Sequence, residues 1–190
     1  EEVLRIKAVC QDHGLKLHLD GARLFNALIA TRQGPKAYGN VFDSISVCLN
    51  KGMGCPMGSV LLGSETFIRE ARRIRKKFGG GMRQAGYMAA TGIYAMENHL
   101  QRLEQDQLHA KQIAHTLLEK NFTGHMLPVE TNILIFEVIG DWTPVSFAEY
   151  LSREGIKVMP ISTTQVRMVT HLDITPDMVE RTCQVIEGMN

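Results

Sequence analysis

SVCLNKGMGCPMGSVLLG, residues 46–63, sets one lysine, Lys51, between an apolar run and a cluster of glycines. The run from Ile45 to Leu49, bounded by turn residues, predicts a strand buried on both faces. Glycines at 52, 54 and 58 allow a sharp turn after it, so Lys51 falls at the strand's carboxyl end. In open α/β sheets that edge is where ligands bind, and a desolvated lysine with a lowered pKa forms imines with carbonyl compounds. The alternative is a surface lysine in a loop after a strand, and the glycines are weak evidence alone. GMGCPMG is neither a dinucleotide fingerprint nor a phosphate loop, because no lysine follows its last glycine.

A second segment, LKLHLDGAR at 15–23, alternates apolar Leu15, Leu17 and Leu19 with polar Lys16 and His18 and ends on Asp20 and Gly21. Asp20 therefore also stands at a strand's carboxyl end. Read alone, it is a helix cap. Paired with Lys51 it meets the needs of pyridoxal phosphate, an imine-forming amine and a carboxylate that keeps the pyridine nitrogen protonated. Arg167 lies in the apolar strand VRMV, where a charge is costly without a partner anion. A substrate carboxylate, gripped by two parallel hydrogen bonds, fits that place, and a buried ion pair with a protein acid is the other reading.

Composition points the same way. Of 190 residues, 44% are hydrophobic and 22% charged, with a formal net charge of +1, an ordinary globular balance that carries no argument for nucleic acid. Four cysteines, 10, 48, 55 and 183, lack metal-ligand spacing and read as free thiols in a reducing compartment. The seven histidines form no cluster; His171 reads as a cap or core residue near the last helix, and no metal site is expected. No apolar run approaches the ~20 residues that span a bilayer, so no membrane partner is expected and a cytoplasmic location is. The opening EEVLRIKAVCQDHG reads as a helix already in progress, stopped at Gly14, which predicts a fragment of a longer chain.

In order, the pattern predicts that helix, the Asp20 strand, a loop over 31–40, the Lys51 strand, and a short strand at Ser59–Leu62. A helix over Glu65–Lys77 follows, carrying Arg69, Arg72, Arg73, Arg75, Lys76 and Lys77 and ending at Gly79–Gly81. Its cations suit a helix carboxyl end or a solvated face, while the glycines could turn amides toward an anion, with Arg83 next. Ala85–Met96 is apolar all round and predicts a helix buried in the core or between subunits. Leu100–Lys120 is amphipathic and expected to bridge two domains. Beyond it lie a strand at Ile133–Val138, a helix over 144–154, the segment Ile156–Met159, VRMVTH, and a last helix capped by Thr175 with Pro176 at its first position. The expected division is 1–100 in a large α/β domain, 101–122 as bridging helix, and 123–190 as a small α+β domain.

Together DGARLFNA (20–27), residues 46–63, GGGMRQAGYMAA (79–90) and VRMVTHLD (166–173) resemble the low-specificity L-threonine aldolases, pyridoxal-phosphate enzymes of fold type I. The likeness runs along the whole chain but covers only the later part of the family's. It implies the carboxyl-terminal part of an α/β enzyme that cleaves L-threonine and similar β-hydroxy-α-amino acids to glycine and acetaldehyde. Lys51 would carry the pyridoxal 5′-phosphate, Asp20 face its ring nitrogen, and Arg23 and Arg167 hold the substrate carboxylate. Lys76 and Arg83 would reach the cofactor region of a neighbouring subunit in a homo-oligomer, dimer or tetramer. The resemblance also implies that the phosphate loop, the ring-stacking histidine and the histidines acting on the substrate hydroxyl lie upstream of this chain. Asn50 departs from it, standing where a serine commonly precedes the lysine. The competing readings are a β-eliminating lyase or aminotransferase of the same fold, and a non-catalytic dimerisation module. Residues 1–190 alone are expected to lack aldolase activity.

Overall fold

The computed structural model describes residues 1–189 and divides into two compact units, Glu1–Gln101 and the part from Arg102 on. The first unit runs α1 (Glu2–Asp12), β1 (His18–Gly21), α2 (Leu24–Thr31), α3 (Pro35–Gly39), β2 (Ser44–Cys48), β3 (Ser59–Gly63), α4 (Glu65–Lys77) and α5 (Gly86–Asn98). Its sheet has the order β1-β2-β3, with β1 and β2 parallel and β2 and β3 antiparallel. Leu19 pairs with Ile45 and Asp20 with Ser46. A Cβ on Gly21 would lie 2.7 Å from the Ser46 carbonyl oxygen, so the residue after Asp20 must be glycine for the two strands to approach.

Asp43, just ahead of β2, ties this unit together. Its Oδ2 accepts from Lys7 Nζ at 2.8 Å and from the Leu17 amide at 2.9 Å, joining α1 and the approach to β1 to the start of β2. Lys16 Nζ adds a longer contact to Oδ1 at 3.4 Å. The Leu17 amide first, then Lys7, holds the Asp43 carboxyl far below its ordinary value.

Several expectations change here. β2 is not buried on both faces: Ile45 and Val47, with Leu49 just beyond, are buried, while Ser44, Ser46 and Cys48 are half-buried, so the strand alternates. Every residue of β3 is exposed. The stretch expected as a loop over 31–40 contains the short α3, started by Pro35 at its first position. α5 is not buried in this chain's core; only Gly92 and Ala95 are covered, while Tyr87 is 76% exposed and Ile93 and Tyr94 are each 60% exposed.

The second unit comprises α6 (Leu103–Leu118), β4 (Thr123–Met126), β5 (Ile133–Val138), α7 (Pro144–Arg153), β6 (Met159–Pro160), β7 (Gln165–Val169) and α8 (Pro176–Glu187). Its sheet, in the order β4-β5-β7-β6, is antiparallel throughout. Alternation in β5 and β7 turns Leu134, Phe136, Val138, Val166 and Met168 into a core closed by Ala110, Ile113 and Leu117 of α6, Phe147 and Leu151 of α7, and Val179 and Ile186 of α8. α6, expected to bridge two domains, lies within this unit, with its apolar stripe in that core. Thr143 and Ser146 form a reciprocal capping box at the start of α7, and Thr175 accepts from the Met178 amide at the start of α8. Among the described residues no helix is long and apolar enough to cross a membrane, and all four cysteines are free thiols.

Because folding depresses the Asp43 pKa, its carboxylate stabilises the fold above the ordinary carboxylate range, about pH 4, and the contribution is lost as acid protonates the folded state. Asp43→Asn should lower the thermal midpoint of the intact protein at neutral pH, and the gap to the parent should shrink on acidification well below that range. Equal midpoints at neutral pH would contradict the assignment.

Candidate active site

Parallel pairing of β1 with β2 brings Asp20 and the Lys51 loop to one edge of the sheet, the carboxyl ends of both strands. The loop from Leu49 to Gly58 is held by its own backbone: the Leu49 amide donates to Gly58 O at 3.0 Å, Cys55 to Leu49 O at 3.0 Å, and Gly54 to Lys51 O at 2.9 Å. Leu49, Met53 and Cys55 are buried beneath it. Leu49 meets α5 where Gly92 leaves room, since a Cβ there would sit 3.2 Å from the Leu49 side chain. His99, just past α5, donates through Nδ1 to the Met53 carbonyl at 2.7 Å. The side chains of Leu49, Met53 and Cys55 point inward, and Lys51 is left exposed on a fixed base. The desolvation expected for this lysine is absent in the chain itself.

Asp20 is exposed, and its Oδ1 accepts from the Ala22 amide at 3.1 Å. That is the local turn role of the bland reading, and it occupies one oxygen only. Asp20 makes no ion pair among the described residues, which leaves its carboxylate available to a protonated ring nitrogen. Arg23, half-buried, stands at the amino end of α2, three residues on. Amine and carboxylate on one sheet edge, the first on a braced loop, fit the two contacts that pyridoxal phosphate needs from this part of a protein.

α4 is capped by Ser64, whose side chain accepts from the Phe67 amide. The triple glycine does not form an anion cradle. Gly79, at φ +79°, donates to Lys76 O at 3.2 Å, and Gly80 donates to Arg75 O at 2.9 Å, a Schellman closure that spends both amides on helix carbonyls. Lys76 lies in the last turn of α4, and Arg83 follows the glycines, ahead of Gln84 at φ 50°; both cations are exposed. Backbone strain at a non-glycine residue, beside an arginine, is a feature that sites often store.

In the second unit Arg167 is half-buried rather than sunk in the core. Val166 and Met168 take the core face of β7, so Arg167 shares the other face with Ile135 of β5 and Met159 of β6. It makes no ion pair among the described residues, against the reading of a buried pair with a protein acid. Its Nη2 donates to Met159 Sδ at 3.2 Å, and its buried Nε has no acceptor. His171 is exposed, in contact with Asp173, and neither caps a helix nor enters the core.

Sequence reasoning missed two supports. His99 braces the Lys51 loop from 46 residues away, and only the packing of α5 reveals it. Asp106, fully buried on α6, is paired with Arg102, and Thr170 Oγ1 donates to its backbone carbonyl at 2.6 Å. Burial raises the Asp106 carboxyl above its ordinary value, against the pull of Arg102 and His171. Asn132 Nδ2 then donates to Thr170 O at 2.7 Å, so the end of β7 is fixed to both α6 and β5. An acid inside an amphipathic stripe was the available signal. Among the described residues no three His, Cys, Asp or Glu side chains could hold a metal ion.

A family model described as beta-eliminating lyase matches residues 1–140, a span that contains Asp20, Arg23, Lys51, Lys76 and Arg83. The chain belongs to the beta-eliminating lyase family. The low specificity L-threonine aldolase of Saccharomyces cerevisiae is 46% identical over 185 residues, covering 95% of this chain and 46% of its own length. Low-specificity L-threonine aldolase 1 of Arabidopsis thaliana is 36% identical over 181 residues, 94% of this chain and 51% of its own. The solved structure of Leishmania major threonine aldolase superposes with a TM-score of 0.77 at 18% identity, over 98% of this chain and 55% of that one. That likeness establishes the α/β fold of the fold type I enzymes. The chain spans about half the length of the curated relatives it matches.

The braced loop yields a direct expectation. His99→Ala should accelerate hydrogen exchange at the Gly54 and Cys55 amides while amides of β7 and α8 keep their protection, read by mass spectrometry on the intact protein. Unchanged exchange at both loop amides would mean that the Met53 contact does not hold the loop.

Proposed function

We propose that the intact protein cleaves L-threonine, L-allo-threonine and similar β-hydroxy-α-amino acids to glycine and acetaldehyde, as a pyridoxal-phosphate-dependent aldehyde-lyase. The observation that carries this reading is the pairing of Lys51 and Asp20 at the carboxyl ends of two adjacent parallel strands. Relatives named as threonine aldolases support it. When bound, pyridoxal 5′-phosphate would supply the electron sink into which the Cα–Cβ bonding electrons move.

The chain's own residues would do the rest. Lys51 would hold the cofactor through its Nζ, on a loop whose buried Leu49, Met53 and Cys55 limit the reach of that amine. Asp20 would keep a proton at the ring nitrogen, a charge–charge contact that a neutral amide cannot replace. Arg23 and Arg167 are assigned the substrate carboxylate; Arg167 is the stronger case, because its guanidinium has only a sulfur partner. Holding the carboxylate orients the bond to be broken.

Lys76 and Arg83 would complete the cofactor pocket of a neighbouring subunit in a homo-oligomer, dimer or tetramer, located in the cytoplasm. Exposed apolar residues support a covered surface in this region: Phe78 is 87% exposed and Tyr87 76%. β-Elimination is the second reading, favoured by the family's own description.

Asp20→Asn in the intact protein should leave the thermal midpoint in place and slow threonine cleavage by roughly 10²-fold, the scale of losing one preorganised electrostatic group. Full turnover in that variant would contradict the ring-nitrogen role. Product analysis of the parent separates the readings: glycine and acetaldehyde are expected, whereas a 2-oxo acid with ammonia would establish elimination instead.

A further inference from the structure

Met159 stands opposite Arg167 in the register of β6 and β7, so the two side chains share one face of the sheet. The hairpin joining them is closely specified. Ser162 Oγ accepts from the Thr164 amide at 3.2 Å and the Gln165 amide at 3.0 Å, and the Ile161 amide donates to Gln165 O at 3.0 Å. Pro160, with its fixed φ and no amide proton, ends the edge strand directly after Met159. Backbone pairing thus keeps the two side chains next to each other, and Arg167 Nη2 reaches Met159 Sδ at 3.2 Å.

The chemistry of that contact is uneven. A guanidinium offers five N–H donors and keeps its full charge, while a thioether sulfur is a weak, neutral acceptor. Arg167 meets no carboxylate, and its buried Nε–H has no acceptor among the described residues. A protein acid at this position would satisfy the guanidinium and compete with an incoming acid. An aliphatic side chain would leave its orientation to chance. The sulfur orients the group and leaves its charge unspent.

We infer that Met159 is a positioning residue for Arg167: its thioether holds the guanidinium against β6 through Nη2 and keeps that contact while the remaining N–H donors take an amino-acid carboxylate. This rests on the reading of Arg167 as the carboxylate-binding arginine. No proton or bond changes hands; the weak hydrogen bond to sulfur stays in place and a charge-assisted pair is added beside it.

Steady-state kinetics on the intact, cofactor-loaded protein with L-threonine test it, using Met159→Leu, Met159→Gln, Met159→Glu and Arg167→Lys. Met159→Leu keeps the bulk and loses the acceptor, so KM should rise about three- to tenfold, the worth of one modest hydrogen bond, with kcat within about twofold and an unchanged thermal midpoint. Met159→Gln, which restores a neutral acceptor, should return KM toward the parent value. Met159→Glu should raise KM further than Met159→Leu, because the new carboxylate would occupy the guanidinium. If Arg167→Lys raises KM while Met159→Leu does not, the positioning role is wrong and the carboxylate reading stands. If Arg167→Lys leaves KM unchanged, the carboxylate reading fails and the inference falls with it. A loss of thermal stability in Met159→Leu with KM unchanged would make Met159 a packing residue only and overturn the proposal.

Discussion

Parallel pairing of β1 with β2 is the constraint on which the rest of the candidate site depends. Were the two strands antiparallel, Asp20 and Lys51 would sit at opposite ends of the sheet, apart by about the length of a strand of four or five residues, roughly 15 Å at 3.3 Å per residue. The parallel arrangement requires the backbones to close at Gly21, where no side chain is tolerated. It also requires a crossover, supplied by α2 and α3, and an anchor for the incoming strand, supplied by Asp43. An aspartate and a glycine in sequence thus have separate tasks: the glycine permits the pairing, and the aspartate uses the edge that pairing creates.

Much of this was legible in the sequence because the signals were local. Thr175 caps the helix that begins just after it, and α4 spans Glu65–Lys77 as its pattern implied. The strand carrying Lys51 and the strand carrying Asp20 were recognisable from short apolar runs that end in glycine. What was not legible depended on neighbours distant in the chain. The apolar run at Ile45–Leu49 gave no sign that one face of β2 would be only half-covered, since that depends on what packs on the sheet and not on the strand. The evenly apolar α5 looked like a core helix for the same reason, yet most of its large side chains are exposed in this chain. The glycines at 79–81 offered two uses for their amides, and the helix carbonyls of Arg75 and Lys76, close at hand, took those of Gly79 and Gly80.

The second unit shows how a charged group in an apolar segment can be misjudged. VRMV looks uniformly buried as text, but strand alternation sends Arg167 to the face opposite Val166 and Met168. The buried charge of this unit is elsewhere, at Asp106, which the amphipathic pattern of α6 had hidden one turn from Leu103. Nearby, the side chain of Gln105 meets His109 Nε2 at 2.8 Å, and burial lowers the pKa of that ring. Asp106, Thr170 and Asn132 fix the end of β7, the strand that carries Arg167.

Lys51, on its braced and exposed loop, is proposed as the amine that holds the cofactor. Borohydride reduction of the intact protein loaded with pyridoxal 5′-phosphate, followed by peptide mapping, tests it most directly, because reduction fixes the cofactor permanently to whichever lysine has formed the imine. The label is expected on Lys51 alone; a label on Lys76 or Lys77, or no stable adduct, would contradict that role.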